Sequence, residues 1–194
     1  MIRPMLVVFV RAPVIGGAKT RLSRGIGKVH AWRRYRAMTA AVLRNLTDPR
    51  WETVMTLSPE GALHRRFPGV WPDHLPRTLQ GHGDLGVRQA RMFTTRAPVC
   101  VIGSDAPRIT RADVALAFDR LKRHDAVIGP AEDGGYWLLA LNSPAPRGLF
   151  QGIRWSHENT RVDLTRQLEL HDLRRIACLR RLCDVDEAAD LKRA

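Results

Sequence analysis

Two hydrophobic periods alternate along the chain. Residues 5–10 form an unbroken apolar run, the pattern of a strand buried on both faces. Over 30–46 the apolar positions Tyr35, Met38, Val42 and Leu46 recur every three or four residues, which predicts a helix closed by Asp48-Pro49. A strand follows over 51–57, where Val54, Met55 and Leu57 are apolar. Prolines at 59, 68, 72 and 76 punctuate 58–79, and the pattern assigns no element there. Further on, a loop over 81–86 leads into a helix over 85–95, and 99–102 is a buried strand. Thr110 with Asp113 three residues later marks a helix start, with Val114, Leu116, Ala117, Phe118 and Leu121 on its apolar side. Strands over 126–128 and 136–141 flank a loop at 129–135. A helix over 159–170, a strand over 176–179 and a helix over 187–192 complete the pattern.

Strands separated by helix-length segments predict the α/β class, with a mostly parallel sheet covered on both faces. No repeat or low-complexity linker divides the chain, so one domain over 1–194 is expected. Ligands of open α/β sheets bind beyond the carboxyl ends of the strands. The three loops richest in chemistry all follow strands, at 11–21, 103–107 and 129–135.

Composition narrows the class. With 44% hydrophobic and 26% charged residues, collagen-like, coiled-coil and disordered chains are excluded. No apolar run approaches the roughly 18 residues of a membrane span. The run at 5–10 stops at Arg11, too short for a secretory signal, so a cytoplasmic protein is expected. Three cysteines, an odd count, fit a reducing compartment. Cys100 reads as a small core residue, and Cys178 and Cys183 lack the paired spacing of a zinc site.

Charge adds a partner class. The net charge of +13 favours anionic partners such as nucleotides and phosphorylated metabolites. Only Lys19, Lys28, Lys122 and Lys192 among the 32 cations are lysines, and a codon bias toward arginine gives the same excess. The arginines are dispersed and aromatics make up only 6%, which argues against nucleic acid as the partner.

The first loop runs Arg11-Ala-Pro-Val-Ile-Gly16-Gly17-Ala-Lys19-Thr20-Arg21. Glycines that permit close approach, amides at a helix start and two kinds of cation suit a phosphate, although an ordinary strand-to-helix turn reads similarly. It is neither a Walker A loop nor a dinucleotide fingerprint. Asp105, just after the strongest strand, can hold Mg²⁺ against phosphates or cap a turn. Glu132-Asp133-Gly134-Gly135-Tyr136-Trp137 carries more carboxylate and aromatic character than a hairpin needs, yet Asp-Gly is also turn chemistry. Asp84 and the Asp184-Val-Asp186 segment are further acid candidates. Trp155 suits stacking on a base or sugar, or simple packing.

Six segments occur together in one order: Lys19-Thr20-Arg21-Leu22, Gly83-Asp84-Leu85-Gly86 with Arg88, Gly103-Ser104-Asp105-Ala106-Pro107, the Gly129 to Tyr136 loop, Trp155-Ser156 and Asp184-Val-Asp186. In this the chain resembles the bacterial glycosyltransferase-A-like proteins of unknown activity named as radical-SAM- and selenium-domain-associated transferases. The resemblance spans about 5–191. It implies a nucleotide-diphospho-sugar transferase fold: Rossmann-like, three layers, mainly parallel with one antiparallel strand. Relatives of that fold include phospholactate guanylyltransferase and the molybdenum-cofactor guanylyltransferase. The resemblance implies triphosphate binding by Arg11, Lys19 and Arg21 with the Gly16-Gly17 turn, and Mg²⁺ or Mn²⁺ binding by Asp105 and Asp186. It implies ribose and base contacts from Gly83, Asp84 and Leu85, and an acceptor side formed by Asp133, Gly134, Gly135 and Trp155.

Two departures from the family pattern bear on what the resemblance implies, the first on Asp186 and the second on the reaction. Glu187 stands where the family pattern has Thr, and Ser104-Asp105-Ala106 offers one carboxylate rather than an Asp-x-Asp pair. A basic loop with a single Asp favours nucleotidyl transfer from a nucleoside triphosphate to a phosphorylated small-molecule acceptor, with Lys19, Asp105 and Asp133 as catalytic residues. The alternatives are glycosyl transfer from a nucleotide sugar, with Asp133 or Glu132 as the base for the acceptor hydroxyl, and a non-catalytic anion- or nucleic-acid-binding protein.

Overall fold

The apolar runs pair into a single seven-stranded sheet, in a computed structural model that describes residues 3–94, 98–183 and 185–192. The strands are β1 (Met5–Arg11), β2 (Glu52–Ser58), β3 (Arg77–Leu79), β4 (Val99–Gly103), β5 (Ala126–Pro130), β6 (Tyr136–Leu141) and β7 (Ile176–Cys178). Their order across the sheet is β3-β2-β1-β4-β6-β5-β7. Only β6 runs antiparallel to its neighbours β4 and β5; every other pairing is parallel.

Side chains alternate between two cores, which explains why the strands read as continuous apolar runs. On one face Leu6, Val8 and Val10 of β1 pack with Leu43 of α2 (Lys28–Asn45) and with Val114 and Leu121 of the α4 segment (helix Arg111–Arg120). On the other, Val7, Val101 and Leu139 pack with Phe93, beyond the end of α3 (Leu85–Met92), and with Leu164 and Leu168 of α5 (Thr160–Leu170). Each fully buried Leu or Val contributes roughly 1.5–3 kcal/mol of apolar transfer. Cys100 belongs to the first core, as its apolar context predicts.

The predicted start at Thr110 is a complete capping box. The Asp113 amide donates to Thr110 Oγ1 (3.3 Å) and the Thr110 amide donates to Asp113 Oδ2 (2.8 Å). Asp113 also accepts from Arg180 Nε at 2.8 Å, tying α4 to the segment after β7.

Several boundaries differ from the sequence expectation. A short helix, α1 (Thr20–Ile26), precedes α2, and Gly27 at φ 81° separates the two, so helical structure begins well before residue 30. The helix expected over 85–95 ends at Met92, and residue 95 lies outside the described residues. The 58–79 stretch holds a 3-10 turn at Glu60–Ala62 and the three-residue β3. The closing helix expected over 187–192 is a 3-10 segment at Ala188–Lys192.

From β1 the chain crosses to β2 on one side, and β4 returns on the other. The carboxyl ends of β1 and β4 therefore flank the crevice where α/β sheets place ligands.

Candidate active site

A cleft of about 590 Å³ opens at that crevice. Its wall is built from the ends of β1 (Phe9, Arg11) and β4 (Val101 to Asp105), the start of α1, the N-terminal half of α3, Tyr136 at the start of β6, and Asp186.

The loop after β1 folds back tightly. The Val14 amide donates to the Ala12 carbonyl and the Gly17 amide to the Val14 carbonyl, at 2.8 and 3.0 Å. Gly16 at φ 76° makes this turn possible. Gly16 and Gly17 shape the loop without lining the cleft, whereas Lys19, Thr20 and Arg21 line it. Lys19, which caps α1, has φ 55° and ψ 48°, a left-handed conformation uncommon for a residue with a side chain.

The Lys19 ammonium joins the two acids that the sequence nominated for metal. Lys19 Nζ donates to Asp105 Oδ2 at 3.0 Å and to Asp186 Oδ1 at 2.6 Å. The lysine side chain is only 6% exposed, while the carboxylates open partly to the cleft. Burial disfavours the charged ammonium, but Asp105 and then Asp186 outweigh it and hold the Lys19 pKa above its ordinary value. Burial likewise penalises the Asp105 carboxylate, yet the Lys19 charge and hydrogen bond keep its pKa below the usual carboxylate value. Asp186 reaches the site because the Val185 amide donates to the Asp105 carbonyl at 3.2 Å. Asp190 Oδ2 then accepts from the amides of Asp186 and Glu187. Asp184 of the same segment lies outside the described residues.

Tyr35 braces the floor. Its hydroxyl accepts from the Arg11 amide (2.8 Å), donates to the Arg11 carbonyl (3.0 Å) and sits 3.4 Å from Ser104 Oγ. Burial raises the Tyr35 pKa, so the phenol stays protonated and bridges the ends of β1 and β4. Gln80, also buried in the wall, donates through Nε2 to the carbonyls of Val10 and Thr56. Tyr136 donates to Gln89 Oε1 at 2.8 Å across the α3 side.

The remaining nominated residues fall in two groups. Arg11 and Leu85 line the cleft. Gly83 gives its carbonyl to Arg88 Nε at 2.8 Å, and Arg88 does face the cleft. Asp84 caps α3, with Oδ1 accepting from the Val87 amide at 2.9 Å. Asp133 folds onto its own loop, where Oδ1 accepts from the Gly135 amide at 2.8 Å. Gly134, at φ 87°, presses against the Glu158 carbonyl, where a side chain would collide. Trp155 packs near Phe150 (ring centroids 6.5 Å apart) and against Gly86, while its neighbour Ser156 lines the cleft. None of Asp84, Asp133, Gly134, Gly135 and Trp155 is among the cleft-lining residues. Sequence reading passed over Tyr35, Gln80 and Gln89 as site residues, because a Tyr on an apolar helical stripe or a lone Gln carries no motif; Tyr136 closes the Gly129 to Tyr136 loop singled out in the sequence, though it was given no role of its own.

Two carboxylates that converge on one cation suit Mg²⁺ or Mn²⁺, which bind one or two protein carboxylates and fill the remaining positions with water and substrate phosphate. No cluster of three His, Cys, Asp or Glu residues suited to a metal occurs among the described residues. The donor set therefore fits an ion shared with a ligand rather than a closed protein cage. No helix among the described residues is long and apolar enough to cross a membrane.

The fold is that of the nucleotide-diphospho-sugar transferases. A protein of Desulfovibrio desulfuricans G20, assigned provisionally as a nucleotide-diphospho-sugar transferase, matches with a TM-score of 0.88 and 27% identity, over 96% of this chain and 84% of that one. CMP:2-keto-3-deoxy-manno-octonic acid synthetase in complex with CTP matches at 0.59 and 12% identity, over 98% and 96%. The manganese complex of Rv0371c from Mycobacterium tuberculosis H37Rv matches at 0.53 and 17%, over 99% and 97%. The last two likenesses show the fold alone. No curated protein matches the chain. The family described as uncharacterized protein conserved in bacteria (DUF2064) matches over residues 41–157.

Proposed function

The chain belongs to the DUF2064 family of bacterial proteins, and from the chemistry of its cleft we propose that it is a divalent-cation-dependent nucleotidyltransferase acting as one domain over 1–194. A phosphate oxygen of a small phosphorylated acceptor attacks the α-phosphorus of a nucleoside triphosphate. The bond from that phosphorus to the bridging oxygen breaks, and pyrophosphate leaves with the electron pair. No proton has to be removed from such a nucleophile, so positioning and charge stabilisation carry the rate.

Arg11, Lys19 and Arg21 bind the triphosphate. Asp105 and Asp186 hold Mg²⁺ or Mn²⁺, which when bound neutralises phosphate charge. The side of the cleft bounded by Leu85 and Arg88 receives nucleoside or acceptor. The manganese held by Rv0371c and the CTP held by the synthetase, two proteins of the same fold, are in keeping with these assignments.

One observation carries the choice of reaction. Asp105 and Asp186 are the only carboxylates lining the cleft among the described residues, and both are paired with Lys19. Asp133, the candidate base for a sugar acceptor, is engaged with Gly135. A site without a free base suits an acceptor that is already ionised. Likeness to the Desulfovibrio protein favours a second reading, glycosyl transfer from a nucleotide sugar.

The products separate the two. Purified protein with Mg²⁺ or Mn²⁺ is incubated with each nucleoside triphosphate or nucleotide sugar and a panel of phosphorylated and hydroxylic acceptors. Acceptor-dependent pyrophosphate release is expected. Nucleoside diphosphate released from a nucleotide sugar, without pyrophosphate from any triphosphate, would overturn the proposal.

A further inference from the structure

Lys19 occupies the point on which the carboxylates converge. Its ammonium hydrogen-bonds both, at 3.0 and 2.6 Å, and its side chain is 6% exposed. No other ion pair to Asp105 or Asp186 occurs among the described residues. One positive charge against two negative ones leaves the cluster short of neutrality by one, a deficit removed when a divalent ion takes the place of the ammonium.

Geometry makes the two cations competitors. An ion bonded to both oxygens at about 2.1 Å lies no more than about 4.7 Å from Nζ where the ammonium now sits, with no anion left to separate them. The backbone adds an independent sign. Lys19 is held in the left-handed region at the cap of α1, a conformation that persists where surroundings over-determine it and that clusters at switch positions.

We propose that Lys19 is a resident cation for the Asp105–Asp186 pair, and that an incoming divalent ion displaces its ammonium onto the phosphates of the nucleotide. The inference rests on the metal and phosphate roles proposed above. Its consequence is linkage: ion and phosphate load together, because each supplies a partner for a charge the other has uncovered. The ion alone binds weakly, since it must leave the ammonium buried without an anion. Phosphate alone binds weakly, since it must draw Lys19 away from two carboxylates.

The scarcity of lysine makes the exchange visible. Amine labelling followed by mass spectrometry reports Lys19 against Lys28, which is exposed, and Lys122, whose side chain is 74% exposed. In the ligand-free wild type Lys19 should label slowest of the three. Mn²⁺ alone at saturating concentration should speed its labelling, and inorganic tripolyphosphate added with Mn²⁺ should slow it again. Separately, Lys19→Met should tighten binding of Mn²⁺ alone, read by electron paramagnetic resonance, on the order of tenfold. The labelling series needs no variant and stands if Lys19→Met does not fold.

Equal Mn²⁺ affinity in wild type and Lys19→Met, with Lys19 labelling unmoved by bound Mn²⁺, would overturn the exchange while leaving the carboxylates as metal ligands. Failure of wild type and variant to bind Mn²⁺, with or without tripolyphosphate, would overturn the metal assignment and the exchange together.

Discussion

Asp186→Asn and Lys19→Met each remove one charge from the same cluster, yet their effects on stability should differ several-fold. Both carboxylate oxygens lie within 3.0 Å of one nitrogen. The acids are therefore no more than about 6 Å apart, and at an effective dielectric of about 20 they repel by about 3 kcal/mol. Each ion pair, with charge centres about 4 Å apart, contributes about 4 kcal/mol on the same scale. Asp186→Asn gives up one attraction and the repulsion, a net loss of about 1 kcal/mol. Lys19→Met gives up both attractions and keeps the repulsion, a gross loss of about 8 kcal/mol. Water screens the acids, whose side chains are 38% and 46% exposed, and protonation relieves the remainder. The loss measured for Lys19→Met should then be about 2–4 kcal/mol. Met is as disfavoured as Lys in the left-handed region, so the backbone does not confound the comparison. Urea unfolding at pH 7 and low salt, with fluorescence of the five tryptophans as probe, gives both values. Equal destabilisation by the two variants, or a stable Lys19→Met, would refute the charge balance.

Other expectations follow from single contacts. Thr110→Ala removes half of the capping box of α4 and should cost about 1 kcal/mol in thermal or urea unfolding. Asp133→Asn keeps the acceptor oxygen for the Gly135 amide and should leave turnover and its pH profile unchanged; a large fall in rate would restore Asp133 as a base. Gly134→Ala forces a side chain into the Glu158 carbonyl at positive φ and should cost at least about 1–2 kcal/mol, measured the same way. Burial raises the Asp113 pKa, but Arg180 and Thr110 outweigh it and hold the folded value below the ordinary carboxylate one. Its stabilisation is complete above the unfolded value near 3.9 and is lost as pH falls through the lower folded value. The stability gap between wild type and Asp113→Asn should therefore be constant from about pH 5 to 7 and shrink below about pH 4. Lys19 has the opposite sign: its raised pKa gives stability present below about pH 10.4 and lost at still higher pH.

The sequence was most legible where local chemistry and period agree. The β6 strand was read to the residue, because the run 136–141 is apolar throughout and the loop before it ends in Gly-Gly. Thr110 and Asp113 announced α4 because two side chains and two amides form a closed local unit. α1 is less visible in the sequence, since seven residues bearing one buried side chain, Leu22, make no period. β3 is three residues held by β2, so its strand character comes from pairing rather than from its own pattern. Among the site residues, Lys19 and Asp105 stood out beside predicted strand ends. Asp84 and Asp133 looked equivalent to Asp105 in sequence, because a carboxylate in a Gly-rich loop reads alike whether it caps a helix, closes a turn or faces a ligand. Only three-dimensional neighbours separate them. The same holds for Tyr35, whose ring follows the apolar stripe while its hydroxyl spans β1 and β4.

The three charges of the cluster are far apart along the chain: Lys19 is 86 residues from Asp105 and 167 from Asp186. This gives the site a place in time as well as in space. The cluster is complete only when the loops after β1 and β4 and the segment beyond β7 are all in place. During synthesis, a nascent chain that ends at β7 already has Lys19 and Asp105 but not the acid that completes the cluster. A chain that lacks Asp186 would therefore present a lysine–aspartate pair of zero net charge in place of the anionic three-charge cluster.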